Sequence, residues 1–589
     1  MVRTSHVAAL CLAVGVAFPL LVMHERTSLP LALGRRPELT VLGVFGAAVV
    51  AMANGANDIA NSVGTSYGAG ALTLAQAIGF GAAAEFAGAM SLGSFVAKTI
   101  SKGVIEPKSF AAAGCHGVLE YGLGMVSVLF GTGSTTLLAT LYGLPISASH
   151  GVIGGLLAVG IYAHGTESIG TAPLLATVVA WVASPLVGGV TAGMIHLAVR
   201  SAVHARRDPT RAADALQPVL LALTVTVAAA FLFVSGPAVI RIKPASRGAA
   251  ASVGLGVVAA LASYGYRMLN PPPRPADHPW SRHLEEMDGT ELPTTRRGGR
   301  TKRLQAQPLP PPGRGGSDGA DGDPDSSLLL CCVAPRRFCV GGRDKTVPPL
   351  ASRAGHSDGE DEEGTMVSGQ GQGPGARRAA SALEHAAEER PFVPLLVISA
   401  LTVAFAHGAN DLGNSIGPLA AILITERSHG DITAQPAIPM WLLALGSCGF
   451  VVGIILLGSR TIRTVGGKIT TLTPSRSFAV QMGTAVAVLT STELGLAVST
   501  SHCLVGAIIG IGAAERIRGA ANADLNLSMI YRIILGWAAT IPLAMLVSVL
   551  ALAAMEPVYR HDALCRDTHE HHHASSHTPS HARHGRAAS

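Results

Sequence analysis

The chain has 589 residues, 43 of them basic and 37 acidic, for a net charge of +6, with 14% charged and 49% apolar side chains. A soluble domain carries about 25% charged residues, so this composition, with a mean hydropathy of +0.41, excludes an ordinary soluble enzyme. The near balance of charge does not describe a nucleic-acid binder, and 69 glycines without a triplet period exclude a collagen-like fibre. None of the eight cysteines falls in a paired CxxC array, which gives no support to a structural zinc site.

In chain order, the first apolar run covers residues 6–23. It reads as a membrane helix rather than a cleaved secretory signal, because no small-x-small site precedes Glu25 and Arg26. Further apolar runs cover 39–53, 71–97, 117–141, 173–199, 216–235 and 247–265. The stretch 270–390 breaks the pattern with Pro271-Pro272-Pro273, the Pro-rich run 308–312 and the acidic run 358–363. Too little apolar surface is present there to offset ordering entropy, so it is expected to be a disordered hydrophilic loop. Apolar runs return at 392–407, 437–458, 477–490 and 528–555. The tail is rich in histidine, from His569 to His584, and reads as a solvated segment without metal. A spanning helix needs about 20 apolar residues, and the runs add up to about 10–12 passes. The expected fold is an all-α polytopic membrane protein in the bilayer. Its expected parts are a membrane helix and linker (1–38), a first half (39–269), the loop (270–390), a second half (391–558) and the tail (559–589).

The two halves repeat each other. Gly55-Ala-Asn-Asp-Ile-Ala-Asn-Ser-Val-Gly-Thr65 matches Gly408-Ala-Asn-Asp-Leu-Gly-Asn-Ser-Ile-Gly-Pro418 at seven of eleven positions. Gly143-Leu-Pro-Ile-Ser-Ala-Ser-His150 matches Gly495-Leu-Ala-Val-Ser-Thr-Ser-His502. Asp58 and His150 lie 92 residues apart, Asp411 and His502 91. Trp181 before Ser184-Pro185 is echoed by Trp537 before Thr540 and Pro542. Paired repeats with interrupted hydrophobic segments in matching places point to a transporter whose site lies between the halves.

The first motif carries an ionisable residue beside or within the membrane, which marks it as functional by default. Gly55 and Gly64 are expected to let the helix unwind, so that freed carbonyls join the Asp carboxylate and Asn amide oxygens. That hard oxygen set suits a small cation. In the second motif a helix breaker precedes hydroxyl residues and a short apolar run. This is the pattern of a capped, re-entrant helix whose N-terminus attracts an anion. His150 and His502 are open to anion binding, proton uptake or a structural role. Glu85 is a further intramembrane carboxylate, while Glu120 and Glu493 are weaker candidates near helix ends. Arg460, Arg463 and Lys468 read as interfacial anchors.

These motifs resemble those of the PiT family of inorganic phosphate transporters, over roughly residues 40–200 and 390–555, and the long hydrophilic loop between the halves fits the same pattern. The resemblance implies sodium- or proton-coupled uptake of inorganic phosphate through an inverted repeat of about twelve passes, with the loop in the cytosol. It assigns phosphate to Ser147, Ser149, His150, Ser499, Thr500, Ser501 and His502. Sodium falls to Asn57, Asp58, Asn61, Asn410, Asp411 and Asn414, with Glu85, Ser62, Thr65 and Ser415 as additional candidates. The first hydroxyl motif departs from the family's Ser-Thr-Thr-His by reading Ser147-Ala148-Ser149-His150. No cofactor beyond the coupling ion and no nucleic acid is implied. The plasma membrane is the expected address, with an organelle membrane as the alternative, and a homodimer is left open. The competing readings are proton coupling, another oxyanion such as sulfate, a channel, and a membrane enzyme acting on phosphate. The enzyme reading lacks a P-loop, HExxH or GxSxG motif.

Overall fold

The computed structural model describes residues 37–236, 240–269, 385–427, 432–433, 438–468, 473–518 and 527–559. The apolar run 6–23, residues 270–384 of the hydrophilic stretch and the tail beyond residue 559 lie outside the described residues.

The first half contains α1 (Pro37–Gly68), α2 (Leu74–Leu92), α3 (Ser94–Lys102), α4 (Pro107–Ala112), α5 (Gly114–Leu141), α6 (Ala148–His164) and α7 (Thr171–Val199). A hairpin of α8 (Pro209–Ser235) and α9 (Ala245–Leu269) follows. The second half contains α10 (Phe392–Arg427), α11 (Met440–Lys468), α12 (Pro474–Glu493), α13 (Thr500–Ile517) and α14 (Leu527–Tyr559). Each half thus opens on a long helix carrying the Gly-Ala-Asn-Asp motif and later begins a short helix within the Ser-x-Ser-His motif, whose first serine is the N-cap.

Eight helices among the described residues are long and apolar enough to cross a membrane, and α2 with α3, bent by 62° at Gly93, makes a ninth. The count falls below the expected passes for two reasons. The run 6–23 is not described, and α12 carries Ser477, Gln481 and Thr484 where a spanning helix would be apolar. The outer faces are oily: Leu175, Val179, Val182, Leu186 and Val190 of α7 are exposed, as are Ile534, Leu546 and Leu550 of α14. The interior holds Asn54, Asn57, Asp58, Asn410 and Asp411, all buried. Apolar outside and polar inside is the arrangement that a hydrocarbon solvent imposes.

The expectation that α1 unwinds at its glycines is not met. Both α1 and α10 run through their motifs as uninterrupted helices. The glycines serve close packing instead. A Cβ on Gly55 would lie 2.5 Å from the Phe450 carbonyl oxygen of α11, and one on Gly408 would collide with the Glu85 backbone of α2. The first helix of each half therefore packs on the second helix of the other. In lipid, small residues that admit such approach are what hold helices together, because no water is available to drive them together.

The Ser-rich bends form as expected. α5 ends at Gly143 (φ +65°) and α12 at Gly495 (φ +68°), both in the left-handed region that favours glycine. Ser147 and Ser499 then cap α6 and α13, each accepting the backbone N–H of the histidine three residues on at 3.3 Å. With 17 residues in α6 and 18 in α13, these helices reach only about 26 Å, and both begin in the buried interior.

Candidate functional site

The site forms where α1 and α10 meet the starts of α6 and α13, and its contacts cross between the halves. Asn61 of α1 donates to Ser501 Oγ of α13 at 2.8 Å, to Thr500 Oγ1 at 3.4 Å and to Asp58 Oδ1 at 2.8 Å. Ser501 Oγ lies 3.3 Å from both Asp58 Oδ1 and the Ile146 carbonyl. In mirror fashion, Asn414 of α10 donates to Ser149 Oγ of α6 at 3.2 Å, and Ser149 donates to the Val498 carbonyl at 3.0 Å. The second asparagine of each motif thus sits on the hydroxyl motif of the opposite half, and Asp58 touches it as well.

At the centre lies His407, one turn before Asp411 and fully buried. Its Nδ1 is 3.0 Å from Glu85, and its Nε2 is 3.4 Å from Asp411 and 3.7 Å from Asp58. The ligand atoms of Asp58, His407 and Asp411 fall within 4.8 Å of one another. Three carboxylates share one imidazole, so even an imidazolium would leave two negative charges uncompensated in the ionised site. Burying charge in a dry interior costs several kcal/mol per ion unless it is matched. Asp411 Oδ1 and Asn414 Oδ1 are moreover buried acceptors with no donor in reach. Oxygens that lack donors beside excess negative charge fit a small hard cation.

The structure redistributes the expected site residues. Asp58, Asn61, Asp411 and Asn414 come together with Ser149, Thr500 and Ser501. Glu85 joins them through His407. Asn57 and Asn410 do not: their amide groups are spent on the bends before α6 and α13, so their oxygens face backbone N–H groups rather than an ion. Ser147 and Ser499 turn back as helix caps. His150 and His502 meet edge to face at 4.6 Å and lie tilted against Trp181 and Trp537 at 4.1 and 3.7 Å. Ser62 is fully buried and Thr65 accepts from Gln481, while Ser415 bonds back to Leu412 of its own helix. Glu120 pairs with His164 at 3.2 Å and Glu493 bonds Ser235, both outside the central cluster.

Sequence reasoning passed over His407 and Gln481. The repeat alignment did hold a signal for the first: His407 stands where the first half has Asn54, the one ionisable difference directly beside the paired motifs. Gln481 donates to the Ser62 carbonyl at 2.6 Å and gave no sequence signal, since its helix has no recognised motif.

Comparison with known proteins points to one family. A sequence model described as the phosphate transporter family matches residues 54–548. A "Putative phosphate permease" of Pyrococcus abyssi is 29% identical over 512 residues, covering 87% of this chain and 96% of that protein. The "Inorganic phosphate transporter 2-1, chloroplastic" of Arabidopsis thaliana is 29% identical over 498 residues, covering 84% and 68%. A solved structure titled "The sodium-dependent phosphate transporter" shares the fold with a TM-score of 0.61 at 24% identity, covering 88% of this chain and 99% of that one.

Proposed function

The chain belongs to the phosphate transporter family, a class of membrane transporters rather than enzymes, and we propose that it moves inorganic phosphate by symport with sodium. The observation that carries this reading is the exchange of contacts between halves, Asn61 to Ser501 and Asn414 to Ser149. It brings a cation-suited carboxylate–amide pair against an anion-suited helix start twice over.

Phosphate is bound by the hydroxyls of Ser149, Thr500 and Ser501 and by the unpaired N–H groups in the first turns of α6 and α13. Sodium is held by Asp58 with Asn61 and by Asp411 with Asn414. The cation screens the carboxylates from the phosphate, so each ligand raises the other's affinity by the same factor. The name of the solved relative supports sodium. His407 among three carboxylates favours a second reading, in which a proton shares or replaces the sodium at one site. The reciprocal packing of α1 on α11 and of α10 on α2 supports a two-fold relation between the halves. The test is radiolabelled phosphate uptake into proteoliposomes under an imposed sodium or proton gradient. Concentrative uptake with sodium alone supports the proposal, and uptake with protons alone transfers the carboxylates to proton carriage.

A further inference from the structure

Within each half, a single carboxamide ties the motif helix to the bend that precedes the short helix. Asn57 Nδ2 donates to the Leu144 carbonyl at 2.9 Å and to Thr140 Oγ1 at 3.1 Å, and Asn57 Oδ1 accepts Ile146 N–H at 3.0 Å. Asn410 repeats all three contacts, to the Leu496 carbonyl at 3.1 Å, to Thr492 Oγ1 at 2.9 Å and from Val498 N–H at 3.3 Å. Both amides are fully buried, and both amide hydrogens are used. The opposite side of each bend is held by the other half: the Ile146 carbonyl faces Ser501 Oγ, and the Val498 carbonyl accepts from Ser149 Oγ.

One bend therefore has two kinds of neighbour. Its tie to the motif helix of its own half runs through two hydrogen bonds to one side chain, which a third bond anchors to Thr140 of α5 or Thr492 of α12. Its tie to the other half runs through one hydroxyl, which also contacts the carboxylate or amide of the cation-suited pair, and at the second bend also through Trp181 Nε1, which donates to the Ala497 carbonyl at 3.1 Å. We propose that Asn57 and Asn410 are positioning residues rather than ion ligands: each makes its own half's bend move with α1 or α10. The adjacent Asp58 or Asp411 is thereby kept in register with the carbonyl that the opposite serine must reach. On this inference, which rests on the sodium–phosphate reading above, the amides transmit occupancy of the cation site to the phosphate site. A buried carbonyl and N–H left unpaired by loss of the amide would each seek new partners, and the bend would lose its register.

The test uses the purified full-length protein in lipid nanodiscs. Radiolabelled sodium binding is measured without phosphate, and radiolabelled phosphate binding without and with saturating sodium. For Asn57→Leu and Asn410→Leu, the expected result is a sodium Kd within about twofold of wild type. The gain in phosphate affinity on adding sodium should fall about tenfold, out of the 5- to 150-fold range usual for coupled sites. Thr140→Val, which trims one bond at the edge of the clamp, should show the same pattern at about threefold, and it decides the matter if the Asn variants fail to fold. A loss of sodium binding matching that of Asp58→Asn would make Asn57 a ligand and overturn the inference, as would full retention of the sodium-dependent gain. If wild type itself shows no such gain, the sodium reading fails instead. The clamp is then judged on phosphate affinity alone, and wild-type affinity in Asn57→Leu overturns it.

Discussion

Neighbouring residues of the same polar character take different jobs here because a helix turns about 100° per residue. Asn57 faces the bend of its own half, whereas Asp58 and Asn61 face the hydroxyls of the other. The duplicated motif makes Asp58, Asn61, Asp411 and Asn414 legible from sequence as candidate site residues, and the fold brings them beside the hydroxyl motifs. The motif could not separate Asn57 from Asn61, since both are asparagines in one short repeat and only the position of the bend distinguishes them. The carboxylate role predicts that Asp58→Asn and Asp411→Asn each lower sodium-driven phosphate uptake by at least about tenfold, the scale of a lost coupling interaction, at unchanged surface expression. His407 and Glu85 add an asymmetry, since their counterparts Asn54 and Phe450 cannot form an ion pair. Glu85→Gln removes the charge that holds Nδ1 of His407 at 3.0 Å. Sodium-driven uptake is expected to fall at least about fivefold, with the protein still folded by thermal melting. Uptake equal to wild type would show that Glu85 merely fills space.

Helices were readable as elements from their apolar runs and caps, and both Ser caps appear where the breaker-then-hydroxyl pattern placed them. The motif glycines serve packing rather than unwinding. A glycine in a polar membrane motif fits either unwinding or close packing, and the choice depends on a partner helix far away in sequence. Phe450 against Gly55 and Glu85 against Gly408 settle it for packing. Introducing a bulky side chain at either position must push two helix backbones apart. Gly408→Leu is expected to cost about 3 kcal/mol or more, beyond the range of ordinary overpacking, because the obstacle is backbone. The readout is a lower melting temperature and lower yield, together with loss of uptake. Gly79→Ala, at a site with open space around the added carbon, should leave both unchanged.

Taken whole, the molecule interlocks its halves. Charge pairs do part of this at the ends of the helices. Asp214 of α8 pairs with Arg267 at the end of α9 and lies 3.8 Å from Arg390 just before α10, so residues flanking the long hydrophilic stretch meet at one carboxylate. Within the second half, Glu389 just before α10 accepts hydrogen bonds from Ser475 N–H and Ser475 Oγ–H, both at 2.7 Å, at the start of α12. Asp214 is partly exposed, so Asp214→Asn should cost only about 1 kcal/mol, seen as a small fall in melting temperature with uptake retained. The repeats in the sequence point to a site between the two halves, but they do not show which side chain of one half reaches which motif of the other. The most direct test of that central claim is sodium-gradient uptake of phosphate into proteoliposomes by Ser501→Ala, Asp58→Asn and the double variant. If Ser501 of one half and Asp58 of the other serve one site, the double variant will lose no more uptake than the worse single variant. Losses that multiply as independent effects would contradict a site shared between the halves.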